Sequence, residues 1–152
     1  METALDRRIK QSKNLQIGDK VPNIILPEID GNEIDLSKIE SREVLLVFYA
    51  SWCPHCQELL PRVTELASKI YKDKLQVLAI SLDTSRTDWL NFIQNNKLGN
   101  LLNVSDLKGW NGKSANDYFI YATPTMFLIN NEKKIISKPL TFDELKFIFN
   151  EN

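Results

Sequence analysis

The chain has 152 residues, of which 43% are apolar and 26% charged, and a net charge of −1. That length suits one domain, which buries about two-thirds or more of its unfolded surface and needs no metal or disulfide staple to fold. The charge balance gives no basic footprint for nucleic acid, no apolar run reaches membrane-spanning length, and the opening METALDRRIKQSKN lacks the apolar centre of a secretory signal.

Residues 1–16 read as a polar arm or the tail of a preceding segment, leading into a domain over 17–152 near Gly18. Val21–Leu26 is a short apolar run flanked by prolines, which predicts an edge strand because Pro22 has no N–H to donate. EIDGNEIDL turns at Asp30-Gly31-Asn32 between two extended pieces, a hairpin signal. Val44–Ala50 is continuously apolar, as a strand covered on both faces is. Pro54–Tyr71 carries Leu59, Leu60, Val63, Leu66, Ala67 and Ile70 at helical spacing, with Pro61 expected to kink it. Leu75–Leu82 is a second buried strand, Asp88–Asn96 a short helix, Leu101–Val104 a short strand and Asn111–Phe119 a helix. Thr125–Ile129 and Lys134–Ser137 flank the turn NNE as a second hairpin, with Lys133 and Lys134 solvated. Thr141 and Glu144 make a capping-box pattern before a last helix over Leu145–Asn150. Strands alternating with helices predict a mixed α/β sheet with helices on both faces.

The stretch FYASWCPHCQELLP, Phe48–Pro61, holds both cysteines and the only histidine. Cys53 follows a buried strand and opens a helix, where orphan N–H groups and the positive end of the helix dipole favour a thiolate. Pro54 fits the first turn without losing a hydrogen bond. Cys56 lies one turn on, able to attack a mixed disulfide formed at Cys53. Cys53 is expected to be the exposed, attacking sulfur and Cys56 the resolving one. Structural zinc needs four ligands, and only His55 is left to add. Covalent haem needs a histidine after the second cysteine, where Gln57 stands. A redox dithiol is therefore favoured over a metal site, a haem attachment or a structural clip. A protonated His55 imidazole beside Cys53 would lower its pKa and make the disulfide a stronger oxidant.

These residues resemble a known superfamily. FYASWCPHC is similar to the thioredoxin active-site segment, and YATPTMFLI to its second landmark, a threonine followed by a proline that is cis in those folds. The order IGDKVPNIILPEIDGNEIDLS, LLVFYASWCPHCQELLP, VLAISLD and YATPTMFLIN resembles the TlpA/ResA-like branch across roughly residues 17–150. The resemblance implies a thioredoxin-like fold with an N-terminal β-hairpin extension. It implies thiol–disulfide exchange with protein partners in a periplasmic or exported location, recharging by a membrane redox partner, a monomeric domain, and no cofactor or metal. It makes Cys53 the nucleophile, Cys56 the resolving cysteine, Trp52 the preceding aromatic, and Thr123-Pro124 the loop whose backbone docks an extended substrate.

Two departures stand out. Leu59 occupies the position where many relatives of this branch carry a glutamate, and Val47 the position of the thioredoxin acid, so the usual proton acceptors for Cys56 are missing. The Pro54-His55 dipeptide is shared with the strong oxidase DsbA, although the chain lacks that protein's helical insertion. A peroxiredoxin is a rival reading, but its threonine or serine three residues before the cysteine is here Ala50. A third reading is a thioredoxin-fold binding module without redox turnover. Among other residues, Trp89 and Phe119 are expected in the core, Trp110 as a surface contact, and Asp83 as a turn or cap residue.

Overall fold

The computed structural model describes residues 1–149. The expected reach of the last helix to Asn150, and of the domain to residue 152, lies outside the described residues.

A hairpin opens the domain. Strands β1 (Ile25–Pro27) and β2 (Glu33–Asp35) pair antiparallel. Between them the Asp30 carboxylate accepts the Asn32 N–H and Gly31 takes φ +94°, a backbone setting that L side chains resist. The strand expected over Val21–Leu26 begins only at Ile25. The chain before it runs along an edge of the main sheet instead. Gly18 N donates to Ile135 O at 2.8 Å, Ile135 N to Asp19 O at 2.9 Å, and Val21 N to Lys133 O at 2.9 Å. Pro22 then removes the next donor, which ends that pairing.

The main sheet has the order β5-β4-β3-β6-β7. Its centre is β3 (Glu43–Tyr49), parallel to β4 (Leu75–Ser81) and antiparallel to β6 (Thr125–Asn130). The edges are β5 (Leu102–Val104), parallel to β4, and β7 (Ile135–Ser137), antiparallel to β6. Six of the seven β3 residues are buried, which is why the run is apolar without alternation. Helix α2 (Pro54–Ser68) links β3 to β4, and α3 (Arg86–Asn95) links β4 to β5. Both crossovers step the same way, and right-handed connections then place both helices on one face. On that face Trp89 Nε1 donates to Tyr49 Oη at 3.0 Å, and Phe92 meets the Tyr49 ring at 5.4 Å. On the other face Phe48 packs against Tyr118 at 5.1 Å and Phe127 at 6.3 Å. Trp89 is in the core and Phe119 half-buried against it.

Three segments differ from the reading of the sequence. The helix expected over Asn111–Phe119 is a 3-10 turn, Gly109–Asn111, followed by the short helix α4 (Lys113–Asp117). Gly112 separates the two in extended conformation, and a side chain there would collide with the Asp106 carboxylate. Helix α2 ends at Ser68, three residues short of the expected Tyr71, and continues through Pro61. Residues 4–14 of the polar arm form helix α1 (Ala4–Asn14), with a capping box between Thr3 and Asp6. That helix docks on the domain: Gln11 is buried, and its Nε2 donates to the carbonyls of Tyr118 and Phe119 at 3.0 and 3.2 Å. The last helix, α5 (Phe142–Phe149), is capped by the Thr141 hydroxyl, which accepts the Glu144 N–H at 3.1 Å. No described helix is long and apolar enough to cross a membrane.

Candidate active site

The C-terminal end of β3 delivers the chain to Ala50, and a three-residue turn leads into α2. Cys53 is the N-cap of that helix. Its Sγ takes the place of the usual capping oxygen and accepts the Cys56 N–H at 3.3 Å. Pro54 follows at the first helical position. Both cysteines are free thiols. The sulfur expected at the exposed end of the pair is nearly covered: Cys53 is 5% exposed and Cys56 not at all. The cover comes from the opposite side of the cleft, where Thr123 O stands 3.4 Å from Cys53 Sγ and accepts its S–H. The Thr123–Pro124 peptide is cis and leads directly into β6.

The two sulfurs have opposite proton affinities. Burial pushes the Cys53 thiol up. Hydrogen bonds from the Cys56 thiol and the Thr123 side chain, and from the backbone at Cys56 and His55, outweigh it and hold Cys53 below an ordinary thiol. Burial is also the first cause at Cys56, and the hydrogen bond with Cys53 adds to it. The Ala50 backbone and the Thr123 side chain oppose them only weakly, and that thiol is pushed up to about 12. Cys56 lies on the sheet-facing stripe of α2 with Leu59, Leu60 and Val63. Leu59 and Val47, the positions where relatives place acids, are both buried among apolar side chains.

The residues flanking Cys53 fall on two sides. Trp52 is 55% exposed and lies against Trp110, 37% exposed, with ring centroids 6.3 Å apart. His55 is exposed and lines a shallow cleft of about 440 Å³ with Leu59, Arg62, Pro124, Leu140 and Phe142. The Arg62 guanidinium covers the Phe142 ring at 5.2 Å. The structure therefore gathers Trp52, Cys53, Pro54, His55, Cys56, Thr123 and Pro124 at one end of the sheet. Among the described residues no group of three or more histidine, cysteine, aspartate or glutamate side chains is arranged to hold a metal.

Asp83 is not the turn or cap residue expected from the sequence. It is 1% exposed and is the buried carboxylate among the described residues. Its oxygens accept the Ser51 N–H at 3.2 Å, the Ser51 hydroxyl at 2.6 Å and the Ser81 hydroxyl at 2.6 Å. From the other side Gln57 Nε2 donates to Ser51 O at 2.9 Å. Ser51 is thus clamped between β4 and α2, which fixes the turn that presents Cys53. The available signal was an acid just past a buried parallel strand, where sites of open α/β sheets gather.

Comparison with known proteins agrees with this architecture. Residues 17–138 match the model of the AhpC/TSA family. The thiol-disulfide oxidoreductase ResA of Bacillus thuringiensis is 30% identical over 127 residues, 83% of this chain and 70% of the relative. The C-terminal domain of a putative thiol-disulfide oxidoreductase from Bacteroides thetaiotaomicron superposes with a TM-score of 0.78 at 29% identity, covering 90% of this chain and 95% of that one. A domain of a possible thiol-disulfide isomerase from Cytophaga hutchinsonii gives 0.79 at 30% identity, over 89% and 91%. The chain belongs to the AhpC/TSA family and has a thioredoxin-like fold, with ResA-type proteins among its relatives.

Proposed function

We propose that this protein is a thiol–disulfide oxidoreductase that exchanges disulfides with protein partners through Cys53 and Cys56. The observation that carries the reading is the opposed state of the two sulfurs. One caps a helix and is held below an ordinary thiol, and the other is buried one turn on and pushed up to about 12. The names of the ResA relatives and of the structural neighbours support the same class of activity.

In the reducing direction the Cys53 thiolate attacks one sulfur of a partner disulfide. A Cys53–partner bond forms, the partner's S–S bond breaks, and the partner's second sulfur leaves as a thiolate. Cys56 then gives up its proton to solvent and attacks Cys53 Sγ. The Cys53–Cys56 disulfide forms and the partner leaves as a dithiol carrying two electrons. The oxidising direction is the same sequence reversed. Thr123 and Pro124 line the approach to Cys53, so an extended partner segment can meet the Thr123 backbone there. The reaction itself needs no cofactor. A second redox protein must restore the pair, and we assign that role to a membrane thiol carrier acting on a monomeric domain outside the cytoplasm, periplasmic or exported.

The test is a pair of variants. Cys56→Ser is expected to hold partners as mixed disulfides on Cys53, while Cys53→Ser captures none and reduces insulin at the background rate. Wild type no faster than Cys53→Ser would sink the reading and favour a binding module. The family match also gives one specific reason to test a peroxidase. Ala50, three residues before Cys53, offers no hydroxyl there, so hydroperoxide consumption with a thiol donor is expected to stay at background.

A further inference from the structure

Helix α1 lies outside the family match, which begins at residue 17, yet it reaches both flanks of the dithiol through one side chain. Arg7 is exposed at only 13% of its side chain, against 52% for Lys10 one turn away. Its Nη1 donates to Ile120 O at 2.7 Å and its Nη2 to Trp110 O at 3.1 Å. Nη2 also donates to the Asn116 side chain. Nε is held by the Glu2 carboxylate at 3.0 Å, and Lys10 holds the other Glu2 oxygen at 2.9 Å. The planar fork thus joins two separate segments of backbone, a geometry that an ammonium cannot copy.

Those two segments end at the site. Trp110 lies against Trp52, the residue before Cys53. Ile120 is three residues before Thr123, whose carbonyl faces Cys53 Sγ. The same face of α1 continues the attachment: Gln11 grips the Tyr118 and Phe119 carbonyls, and Leu15 O accepts the Lys138 ammonium at 2.8 Å. Arg7 and Gln11 are spaced four apart on one helical stripe, and Leu15 at the C-cap is buried below them. Phe119 sits at φ +50°, and that strained turn directly precedes the carbonyl that Arg7 holds.

We propose that Arg7 is a positioning residue for protein partners: through it, α1 fixes the Trp110 rim and the Ile120–Pro124 approach on either side of Cys53. The inference rests on the oxidoreductase reading above. Arg7 touches neither sulfur, so its effect falls on docking of large partners. A small disulfide that reaches Cys53 directly needs neither flank.

The experiment compares wild type, Arg7→Ala and Arg7→Lys with two substrates, insulin with dithiothreitol as donor and the small aromatic disulfide of Ellman's reagent. The expected result is a KM for insulin roughly tenfold higher in both variants, the scale of a lost charge-assisted hydrogen bond, with kcat held within about twofold. The ratio of insulin to small-disulfide kcat/KM falls by the same factor. Arg7→Lys retains the charge and its pairing with Glu2, so it guards against a variant that merely unfolds. An Arg7→Lys chain that matches wild type on insulin overturns the inference, and so does an equal loss on both substrates, which would mark Arg7 as serving stability alone. A wild type inert on insulin sinks the oxidoreductase reading instead, a result distinct from either.

Discussion

The N-cap of α2 and the turn that follows it put the same side chain in opposite conditions. At the N-cap, Cys53 receives hydrogen bonds from the Cys56 thiol and the Thr123 side chain, joined by the helix's own unpaired N–H groups, and together these overcome its burial. Three residues on, Cys56 lies on the buried stripe of α2 with Leu60 and Val63, and burial with the Cys53 neighbour outweighs the weak opposition of the Ala50 backbone and the Thr123 side chain. The difference teaches that burial alone does not decide which cysteine reacts, since both are covered. What decides is which sulfur stands where side-chain and backbone donors converge.

The largest expected effect breaks that comparison with pH. Cys56 has a folded value of about 12 against an ordinary thiol value of 9.0. Between these limits the unfolded chain has lost the proton and the folded chain still holds it. The stability of the reduced protein is therefore full below pH 9 and falls as pH rises towards 12, by about 4 kcal/mol over the whole window and about 2 kcal/mol by pH 10.5. Cys53 has the opposite sign: its contribution is present above the ordinary thiol value and lost as pH falls through its lowered one. Tyr49 and Tyr118, both also raised by burial, are retained in a Cys56→Ser chain and cancel in the comparison. Urea unfolding of reduced wild type and Cys56→Ser should diverge above pH 9; parallel curves would show that the buried thiol is not held protonated.

A smaller effect is expected where the turn is clamped. Asp83 accepts at both oxygens, and Asn at that position replaces one acceptor by a donor facing the Ser51 N–H and the Ser81 hydroxyl. Asp83→Asn is expected to lower stability by about 1.5–3 kcal/mol, the range for hydrogen bonds to a charged group. It should also raise the pH at which iodoacetamide alkylates Cys53, because Ser51 no longer fixes the N-cap. A variant with an unchanged urea midpoint and alkylation profile would remove Asp83 from the site.

Local pattern carried much of this architecture into view. The unbroken apolar run at β3 and the helical spacing after Pro54 follow from rules that act over a few residues, whereas the pairing of CxxC with Thr-Pro came from the family resemblance. The remainder depends on partners far apart in the chain. Asp83 meets Ser51 across 32 residues, and Arg7 meets Ile120 across 113, so neither contact leaves a mark in the surrounding sequence. An 11-residue polar helix is marginal by itself. Docking through Gln11 and Leu15 makes α1 part of the fold. The resemblance brought Thr123-Pro124 to the site, but the cover that the Thr123 carbonyl gives Cys53 from the loop before β6 left no local mark.

The smallest expected effect sharpens the comparison at its source. Sequence reasoning gave His55 an electrostatic part through its imidazole. In the structure the backbone at His55 is among the groups that favour the Cys53 thiolate, and the side chain lines the cleft with Pro124 and Leu140. Proline at position 55 deletes that N–H, whereas alanine keeps it and deletes only the ring. A weaker thiolate destabilises the reduced form, so His55→Pro is expected to lower the reduction potential by about 30 mV, equivalent to about 1.4 kcal/mol for two electrons. His55→Ala should shift it by much less if the backbone carries the effect. Glutathione redox titration of the two variants separates the contributions. A larger drop for alanine than for proline would return the part to the imidazole and show that helix-end donors are not what sets Cys53 apart from Cys56.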